Sequence, residues 1–305
     1  MRLGLTVLAV ISACLATGVA GATTQGSIVG RSAVTALAAD GDEAVFATVR
    51  TSADCDRAFI WERPTRQLYQ LGKRQRCDAV STGRGVAGIA ITQGRALWLT
   101  FAGGNIREWR LWTATASRTA PRQLQFVPRD VTAAQPVIVG AAGGGLLPYA
   151  VDSTVSTMRA NGSTAFTWTA SARVVALAAR GGRVAVAQEG SRVTVLDTHG
   201  NVVSVDLYMG EVSAVALTSK GLLVQRGSVL ELRRSADAHE FPITIGAHLD
   251  DADARWAVWS DGKLVHVLRL ADGVQAAAYA GSWGAIAGDR LYVANGRTVT
   301  VRTIR

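Results

Sequence analysis

Residues 183–197 read Arg183-Val-Ala-Val-Ala-Gln-Glu-Gly-Ser-Arg-Val-Thr-Val-Leu-Asp197, and residues 290–302 read Arg290-Leu-Tyr-Val-Ala-Asn-Gly-Arg-Thr-Val-Thr-Val-Arg302. In both stretches apolar residues alternate with others on either side of a short turn that contains Gly. Alternation with a period of two predicts half-buried strands, and the turn joins them into a hairpin. Because the two stretches align almost letter for letter, the chain is predicted to be built from a repeat.

The same hairpin recurs in weaker copies along the chain. They lie at Leu222 to Arg233, Arg255 to Leu270, Ala44 to Trp61, Ala96 to Trp112 and Leu146 to Met158. The copies are about 35 to 50 residues apart, which is the spacing of propeller blades. The sequence therefore predicts an all-β fold, a propeller of about seven blades with four strands each, with six or eight blades as the alternatives.

One blade is predicted strand by strand. Its strands A to D are Val174 to Ala179, Arg183 to Ala187, Arg192 to Asp197 and Val202 to Leu207. The innermost strand is rich in Ala, which suits strands crowded around a central channel. A helix is the poorer interpretation, because Val and Thr interrupt the Ala residues at period two and Gly breaks the runs.

The ring is predicted to close through the N-terminal part of the chain. The last copy begins near Trp283 and ends at Arg305 after only three strands. The segment Ser27 to Gly30 precedes the first blade and supplies the missing fourth strand, so that Ile28 and Val29 pair with the strand around Val299. Closure removes the exposed edge and makes residues 23–305 a single domain.

Residues 1–22 have the features of a signal peptide. A positive Met1-Arg2 start is followed by the apolar run Leu3 to Val10 and by the small residues Ala20-Gly21-Ala22. The mature chain is therefore expected to be secreted or extracytoplasmic and to carry no membrane span. A lipoprotein anchored through Cys14 is the alternative, because the residues before this cysteine resemble a lipobox.

Removal of a signal peptide would leave two cysteines, Cys55 and Cys77. An even pair in an oxidising compartment predicts a disulfide. The strand assignment places Cys55 in the B–C loop of the first blade and Cys77 in the connection to the second blade. Both loops belong to the same face of a propeller, which agrees with a bond between them.

The stretch Val193-Thr-Val-Leu-Asp-Thr-His-Gly-Asn-Val-Val-Ser-Val205 resembles the hairpin between strands C and D in bacterial propellers of the YVTN, quinoprotein and WD40-like group. Val267-Leu-Arg-Leu-Ala-Asp-Gly-Val274 resembles the same element. The resemblance covers residues 27–305 and implies a fold, not an activity. No Trp-Asp or Gly-His pair and no regular Trp docking pattern occurs, which argues against a eukaryotic-type WD40 scaffold and against a quinone-cofactor enzyme.

The formal net charge of +9 would attract a polyanion. The basic residues are spread along the whole chain, however, which favours an ordinary solvated surface. Locally, the B–C loops and D–A connections are basic, and their face is the predicted binding surface. The candidate binding residues are Arg57, Lys73, Arg74, Arg76, Arg84, Arg107 and, at the channel mouth, Trp283.

No catalytic or metal signature is present in the sequence. The acidic segment Asp250-Asp251-Ala-Asp253 is predicted to be a solvated A–B turn of the sixth blade. The histidines, His199, His239, His248 and His266, lack the spacing of a zinc site. Because no nucleophile elbow or phosphate-binding loop occurs either, no metal and no cofactor is expected.

These observations predict a non-catalytic binding or scaffolding propeller, expected to be a monomer. Its predicted partner is a protein, a peptide or an anionic cell-envelope polymer, and no nucleic acid is expected. The alternative is an enzyme that hydrolyses or cleaves glycans at the channel mouth. It requires two carboxylates that face each other across a pocket, for which Glu211 and Asp78 are the candidates.

Overall fold

The computed structural model describes residues 24–48, 58–72, 83–104, 106–130, 135–234 and 237–304. Within these ranges it contains strands and turns but no helix, so none of the described segments is a helix that could cross a membrane. The described strands form seven antiparallel sheets of four strands each. The fold is thus a seven-bladed β-propeller, as predicted.

Each blade contributes strands A to D, in order from the central channel outward. Blade one consists of β2 Val34–Asp40, β3 Glu43–Thr48, β4 Ala58–Glu62 and β5 Gln67–Leu71. Blade two consists of β6 Arg84–Thr92, β7 Arg95–Ala102, β8 Arg107–Thr115 and β9 Arg118–Asp130. Blade three consists of β10 Val137–Val139, β11 Leu146–Val151, β12 Thr154–Arg159 and β13 Thr164–Thr169. Blades four and five consist of β14 Val174–Arg180, β15 Arg183–Gln188, β16 Arg192–Leu196 and β17 Val202–Leu207; and β18 Ala214–Leu217, β19 Leu222–Arg226, β20 Val229–Arg233 and β21 Ala238–Pro242. Blades six and seven consist of β22 His248–Ala252, β23 Trp256–Ser260, β24 Leu264–Arg269 and β25 Val274–Ala280; and β26 Trp283–Ala287, β27 Arg290–Asn295, β28 Thr298–Thr303 and β1 Thr24–Val29.

The antiparallel order gives the disc two faces. The innermost strands begin on the face that carries the D–A connections and B–C loops, where Val34, His248 and Trp283 lie. We call it the loop face. The innermost strands end on the opposite face, at the A–B turns and C–D hairpins, where Asp40 and Arg180 lie. We call it the turn face.

The predicted closure of the ring is confirmed. Strand β1 pairs antiparallel with β28, with Ile28 opposite Val299 and Val29 opposite Thr298. On the turn face the Tyr292 hydroxyl of blade seven donates to the backbone carbonyl of Gly41 in blade one at 3.0 Å. The first and last described segments therefore complete one sheet and leave no gap in the ring.

Apolar side chains fill the spaces between neighbouring blades. Phe46 and Trp61 of blade one pack with Tyr292 of blade seven, and the Trp61 and Tyr292 rings meet edge to face at 6.2 Å. Trp98 and Trp256 are buried in the same manner in other clusters. Burial of such large rings between blades is a main source of the stability of the ring.

Close approach of the innermost strands requires glycine at one position in particular. The backbone N–H of Ala141 in blade three donates to the carbonyl of Leu177 in blade four at 3.0 Å, and the Ala179 N–H donates back to the Ala141 carbonyl at 2.8 Å. A Cβ atom at Gly140 would lie 2.4 Å from the Cβ of Leu177. Only glycine therefore permits this backbone contact between blades.

Two groups of sequence predictions are not confirmed: one lies outside the described residues, and one is wrong. Cys55 and Cys77 lie outside the described residues, as do Cys14 and the predicted signal peptide, so the disulfide and the export signal stay predictions. The prediction that Asp250 and Asp251 belong to a solvated turn is wrong, because both lie within β22. The A–B turn begins at Asp253, whose carboxylate accepts the N–H groups of Arg255 and Trp256.

Candidate functional site at the channel mouth

A cavity of about 220 Å³ lies in the central channel, between the innermost strands. Most of its wall consists of small or aliphatic residues from blades one to three, including Ala36, Ala38, Ala87, Gly88 and Ala141. The side of the wall formed by blades six and seven is different, since it carries His248, Asp250, Asp251 and Trp283. The polar chemistry of the channel is therefore concentrated on one side.

His248 and Trp283 are the outermost members of this group on the loop face. They are the first residues of β22 and β26, two adjacent innermost strands. Their ring centroids are 4.9 Å apart and the rings meet at 61°. The His248 side chain is 42% exposed and Trp283 is half-buried, so both rings are accessible from the loop face.

The buried carboxylate of Asp250 holds the His248 ring in place. Its side chain is 1% exposed, and its Oδ1 atom lies 2.7 Å from His248 Nε2. The same oxygen accepts from the Ser260 hydroxyl at 3.1 Å, and Oδ2 accepts the backbone N–H of Gly284 at 2.9 Å. The pairing of β22 with β23 shifts register between Leu249 and Asp251, which marks an irregularity of the strand at Asp250.

Asp251, the next residue of β22, makes a similar connection to blade seven. Its Oδ2 atom accepts the N–H of Ile286 at 2.9 Å, and its Oδ1 atom accepts the N–H of Ala252 at 2.8 Å. Gly284 and Ile286 are alternate residues of β26, and alternate N–H groups of an edge strand point away from its own sheet. The two carboxylates therefore take the place of a neighbouring strand and link blade six to blade seven.

The environment shifts the proton affinity of all three titratable groups. The hydrogen bond that His248 donates to Asp250 raises the pKa of His248, although burial opposes this effect. Burial raises the pKa of Asp250, opposed by the bonds from His248, Ser260 and Gly284. Burial also raises the pKa of Asp251 to about 7, with Arg180 as an opposing charge. His248 and Asp250 share one hydrogen bond and titrate as a pair.

The contact of Ser260, His248 and Asp250 does not have the geometry of a hydrolytic triad. A triad uses both ring nitrogens of the histidine, one toward serine and one toward the carboxylate. Here Ser260 Oγ, at 3.2 Å, and Asp250 Oδ1 both approach Nε2. Ser260 is fully buried and its hydroxyl also lies 3.1 Å from the Ser282 carbonyl. The cluster therefore positions His248 rather than activating a nucleophile.

Sequence reasoning missed this cluster, although a signal for it exists. In several blades the B strand ends in a buried polar residue opposite the start of strand A. These residues are Thr48, Gln188 and Ser260, and Gln225 and Thr100 lie near the ends of their strands. In blade five the Gln225 amide binds the Ala247 carbonyl and the Leu249 N–H. At this position Gln225 and Ser260 bind the connection into the next blade, whereas Gln188 binds the connection into its own blade.

Of the predicted basic residues, the two that the structure describes do not line the cavity. Arg84 and Arg107 begin β6 and β8 in blade two, and neither lines the cavity beside Trp283. The Arg107 guanidinium donates to the Gly104 carbonyl at 3.1 Å and lies 4.7 Å from the centre of the Phe101 ring. The remaining candidates lie outside the described residues: Arg57, Lys73, Arg74 and Arg76.

The remaining histidines are separate from the channel. His266 is buried and stacks on Trp259 with 3.7 Å between ring centroids, whereas His199 is in the exposed hairpin that follows β16. His239 lies in the outer strand β21. Within the described residues, no three His, Cys, Asp or Glu side chains form a group that could hold a metal ion.

No protein-family model matches the chain, and a comparison with curated protein sequences finds no match. Solved structures do resemble it. The WD40 β-propeller domain of Doa1 has a TM-score of 0.63 at 8% identity, with 94% of this chain and 98% of that chain covered. A chain of the mitotic checkpoint complex has a TM-score of 0.61 at 12% identity, with 100% and 98% covered.

Raptor from Chaetomium thermophilum has a TM-score of 0.62 at 13% identity. The match covers 92% of this chain but only 28% of the Raptor chain. At these identities the likeness concerns the fold alone. The chain thus has a WD40-like propeller fold.

Proposed function

We propose that the chain is a non-catalytic binding propeller outside the cytoplasmic membrane, which holds a protein or peptide partner on its loop face at the mouth of the central channel. WD40-like propellers commonly mediate protein binding. The observation that carries the proposal is the pair of accessible rings, His248 and Trp283, fixed by a buried network on one side of the channel. Aromatic residues in rigid surroundings are typical of the centres of binding surfaces.

The size of the cavity determines what it accepts. A volume of about 220 Å³ is below the roughly 300 Å³ at which small-molecule pockets begin. It suits a single anchoring side chain of a partner whose other contacts spread over the loop face. Because Ala36, Ala87 and Ala141 form the opposite wall, the anchor is an apolar or aromatic side chain that packs against Trp283.

The proposed location rests on the signal peptide that the sequence predicts for residues 1–22, and a lipid anchor at Cys14 is the alternative form of the same proposal. The glycan-acting enzyme receives less support from the cavity. Among the described lining residues its carboxylates are Asp250 and Asp251, which are adjacent in the chain and both accept backbone N–H groups of blade seven. They do not face each other across the cavity as a pair of catalytic acids would.

The test is a capture experiment with matched variants. The chain from residue 23 is immobilised and exposed to cell-envelope extract, beside the variants Trp283→Ala and Trp168→Ala. Trp168 is a half-buried tryptophan of the outer strand β13, remote from the channel. We expect the wild type and Trp168→Ala to retain the same protein and Trp283→Ala to lose it. Equal retention by all three, or retention of none, would contradict the proposal.

A further inference from the structure

A second surface lies on the turn face, between blades four and five, where a groove of about 820 Å³ opens to solvent. It is independent of the channel mouth, since none of the residues that line the groove lines the central cavity. Its lining holds five cationic side chains and one carboxylate. The cations are Arg180, Arg183, Lys220, Arg233 and Arg234, and the carboxylate is Asp206.

Much of this positive charge is not neutralised. Arg233 is engaged, because it pairs with Glu231 at 2.8 Å and lies over the Tyr208 ring. Arg183 and Lys220 are exposed, and within the described residues their side chains have no hydrogen-bond or ion-pair partner. Arg180 and Arg234 donate to the uncharged backbone carbonyls of Ala252 and Leu270, and the buried Nε of Arg234 lacks an acceptor. Such a groove attracts anionic groups.

One wall of the groove is the outer strand of blade four. Among the strands that the structure describes, β17 pairs with β16 alone, so the backbone N–H and C=O groups of its other edge form no pairing with a described strand. Asp206 lies 3.4 Å from Arg233 of blade five, which shows that Ser204 and Asp206 face the groove. Val205 and Leu207 face the other way and are 48% and 66% exposed, whereas Val203 lies at a register shift of the strand and lines the groove.

This strand differs from the other outer strands. Exposed edges are normally protected by Pro, Lys or Arg. Strand β9 carries Pro121 and Arg122, and β21 carries Pro242. Strand β17, Val-Val-Ser-Val-Asp-Leu, carries none of the three, as is also true of β1, β5, β13 and β25. What sets β17 apart is that it exposes four large apolar side chains, whereas β1, β5, β9 and β25 expose one each. Its open edge is therefore suited to pairing with another strand.

We propose that β17 and the adjoining groove bind an extended polypeptide segment in which acidic and apolar residues alternate. The segment adds a fifth strand to blade four along the open edge of β17. Because side chains alternate between the two faces of a strand, one set lies over the groove near Arg183 and Lys220, and the other lies beside Val205 and Leu207. The acidic residues of the partner therefore lie on the side of the groove, and its apolar residues lie on the other side of the sheet.

An extended peptide fits this surface better than an anionic polysaccharide or polyphosphate does. A polyanion satisfies the cations but offers neither a strand edge to β17 nor apolar groups to its outer face. A peptide of alternating pattern satisfies all three features at once. The experiment must therefore separate the contribution of alternation from that of charge.

The probe is a fluorescein-labelled octapeptide, (Glu-Val)4, whose binding to the full chain is followed by fluorescence anisotropy. The matched control peptide, four Glu followed by four Val, has the same charge and composition without alternation. We expect the alternating peptide to bind about tenfold more tightly than the control. The double variant Arg183→Glu/Lys220→Glu should weaken it by at least about tenfold.

Two protein controls accompany the peptides. Arg118→Glu removes an exposed cation of the same face in blade two, outside the groove, and should leave binding unchanged. Trp283→Ala should also leave it unchanged, which separates failure of this proposal from failure of the channel-mouth function. Thermal melts verify that every variant is folded.

The proposal is wrong if both peptides bind alike, because the groove is then a simple polyanion patch. It is also wrong if the double charge reversal has the same affinity as the wild type. Sedimentation of the chain alone covers a third outcome. A dimer that Val205→Lys dissociates would show that β17 pairs with a second copy of this chain instead.

Discussion

At two seams between neighbouring blades, the backbone hydrogen-bonding groups of the innermost strands find their partners by different means. Between blades three and four, the backbones of Ala141, Leu177 and Ala179 bond directly to one another. Between blades six and seven, the side chains of Asp250 and Asp251 accept the N–H groups of β26 instead. The first seam is uncharged, whereas the second depends on titratable groups that also line the channel.

The difference shows how a repeated fold gains one chemically distinct sector. A direct backbone contact leaves no polar side chain at the channel wall and requires glycine for close approach. Carboxylates that bridge the gap bring buried charge to the channel and fix His248 beside Trp283. The contrast predicts that pH acts on the stability of one seam and not on that of the other.

The largest effect is expected from pH at the carboxylate seam. Burial raises the pKa of Asp251 to about 7 in the folded protein, above the 3.8 of an exposed aspartate. The folded state therefore binds the proton more tightly than the unfolded state, so stability falls as pH rises from about 4 to 7. Three pKa units correspond to as much as about 4 kcal/mol.

Asp251→Asn isolates this contribution, because asparagine keeps an acceptor oxygen and does not titrate. We expect the free energy of unfolding of the wild type, relative to the variant, to fall by up to about 4 kcal/mol between pH 4 and pH 8. Urea unfolding at a series of pH values measures it. A difference that stays constant or rises with pH would show that Asp251 is ionised in the folded protein.

The uncharged seam should be broken by a single methyl group. Gly140→Ala places a Cβ atom 2.4 Å from the Leu177 Cβ and 2.7 Å from its carbonyl oxygen. The strands must separate, at a cost of about 3 kcal/mol in the free energy of unfolding. The loss should be the same at pH 5 and pH 8.

Gly227→Ala is the control for this substitution. Gly227 has φ +55° and open space around its Cβ position, so it measures backbone strain without a clash. That strain amounts to about 1 to 2 kcal/mol. Equal losses for the two variants would show that the close approach at Gly140 is not critical.

A smaller effect is expected from Asp250→Ala. The change removes the acceptor for the Gly284 N–H and leaves that group without a partner, which costs about 2 kcal/mol. Asp272→Ala, in an exposed turn, is the control and should change stability little. Thermal unfolding in parallel measures both variants, and losses of equal size would argue against a bridging role for Asp250.

The fold could be predicted because its signals are local. The strands predicted for blade four agree with β14 to β17 to within one residue at each end. The alternation of apolar with other residues and the turns that contain Gly depend only on neighbouring residues, and both occur in every blade. The missing seventh outer strand was also visible, since the repeat stops one strand short.

The candidate site could be predicted only in part, because its partners are distant in the chain. Aspartates in sequence are typical of turns, and nothing local shows that Asp250 accepts an N–H from Gly284, which is 34 residues away. Trp283 was identified from its place at the start of an inner strand, and it does line the cavity. Its role in binding stays a prediction, and Arg84 and Arg107 are not beside it.

The smallest effect concerns the ring pair at the channel mouth. The hydrogen bond that His248 donates to Asp250 raises the pKa of His248 above its ordinary 6.5, so Asp250→Asn should lower that pKa. Protonated histidine quenches a neighbouring indole, and the emission of Trp283 should therefore increase as pH rises through the pKa of His248. Subtracting the emission of Trp283→Phe isolates this change from the other tryptophans. If His248→Gln kept the same pH transition, another group would be titrating and the link between the carboxylate seam and the binding face would be lost.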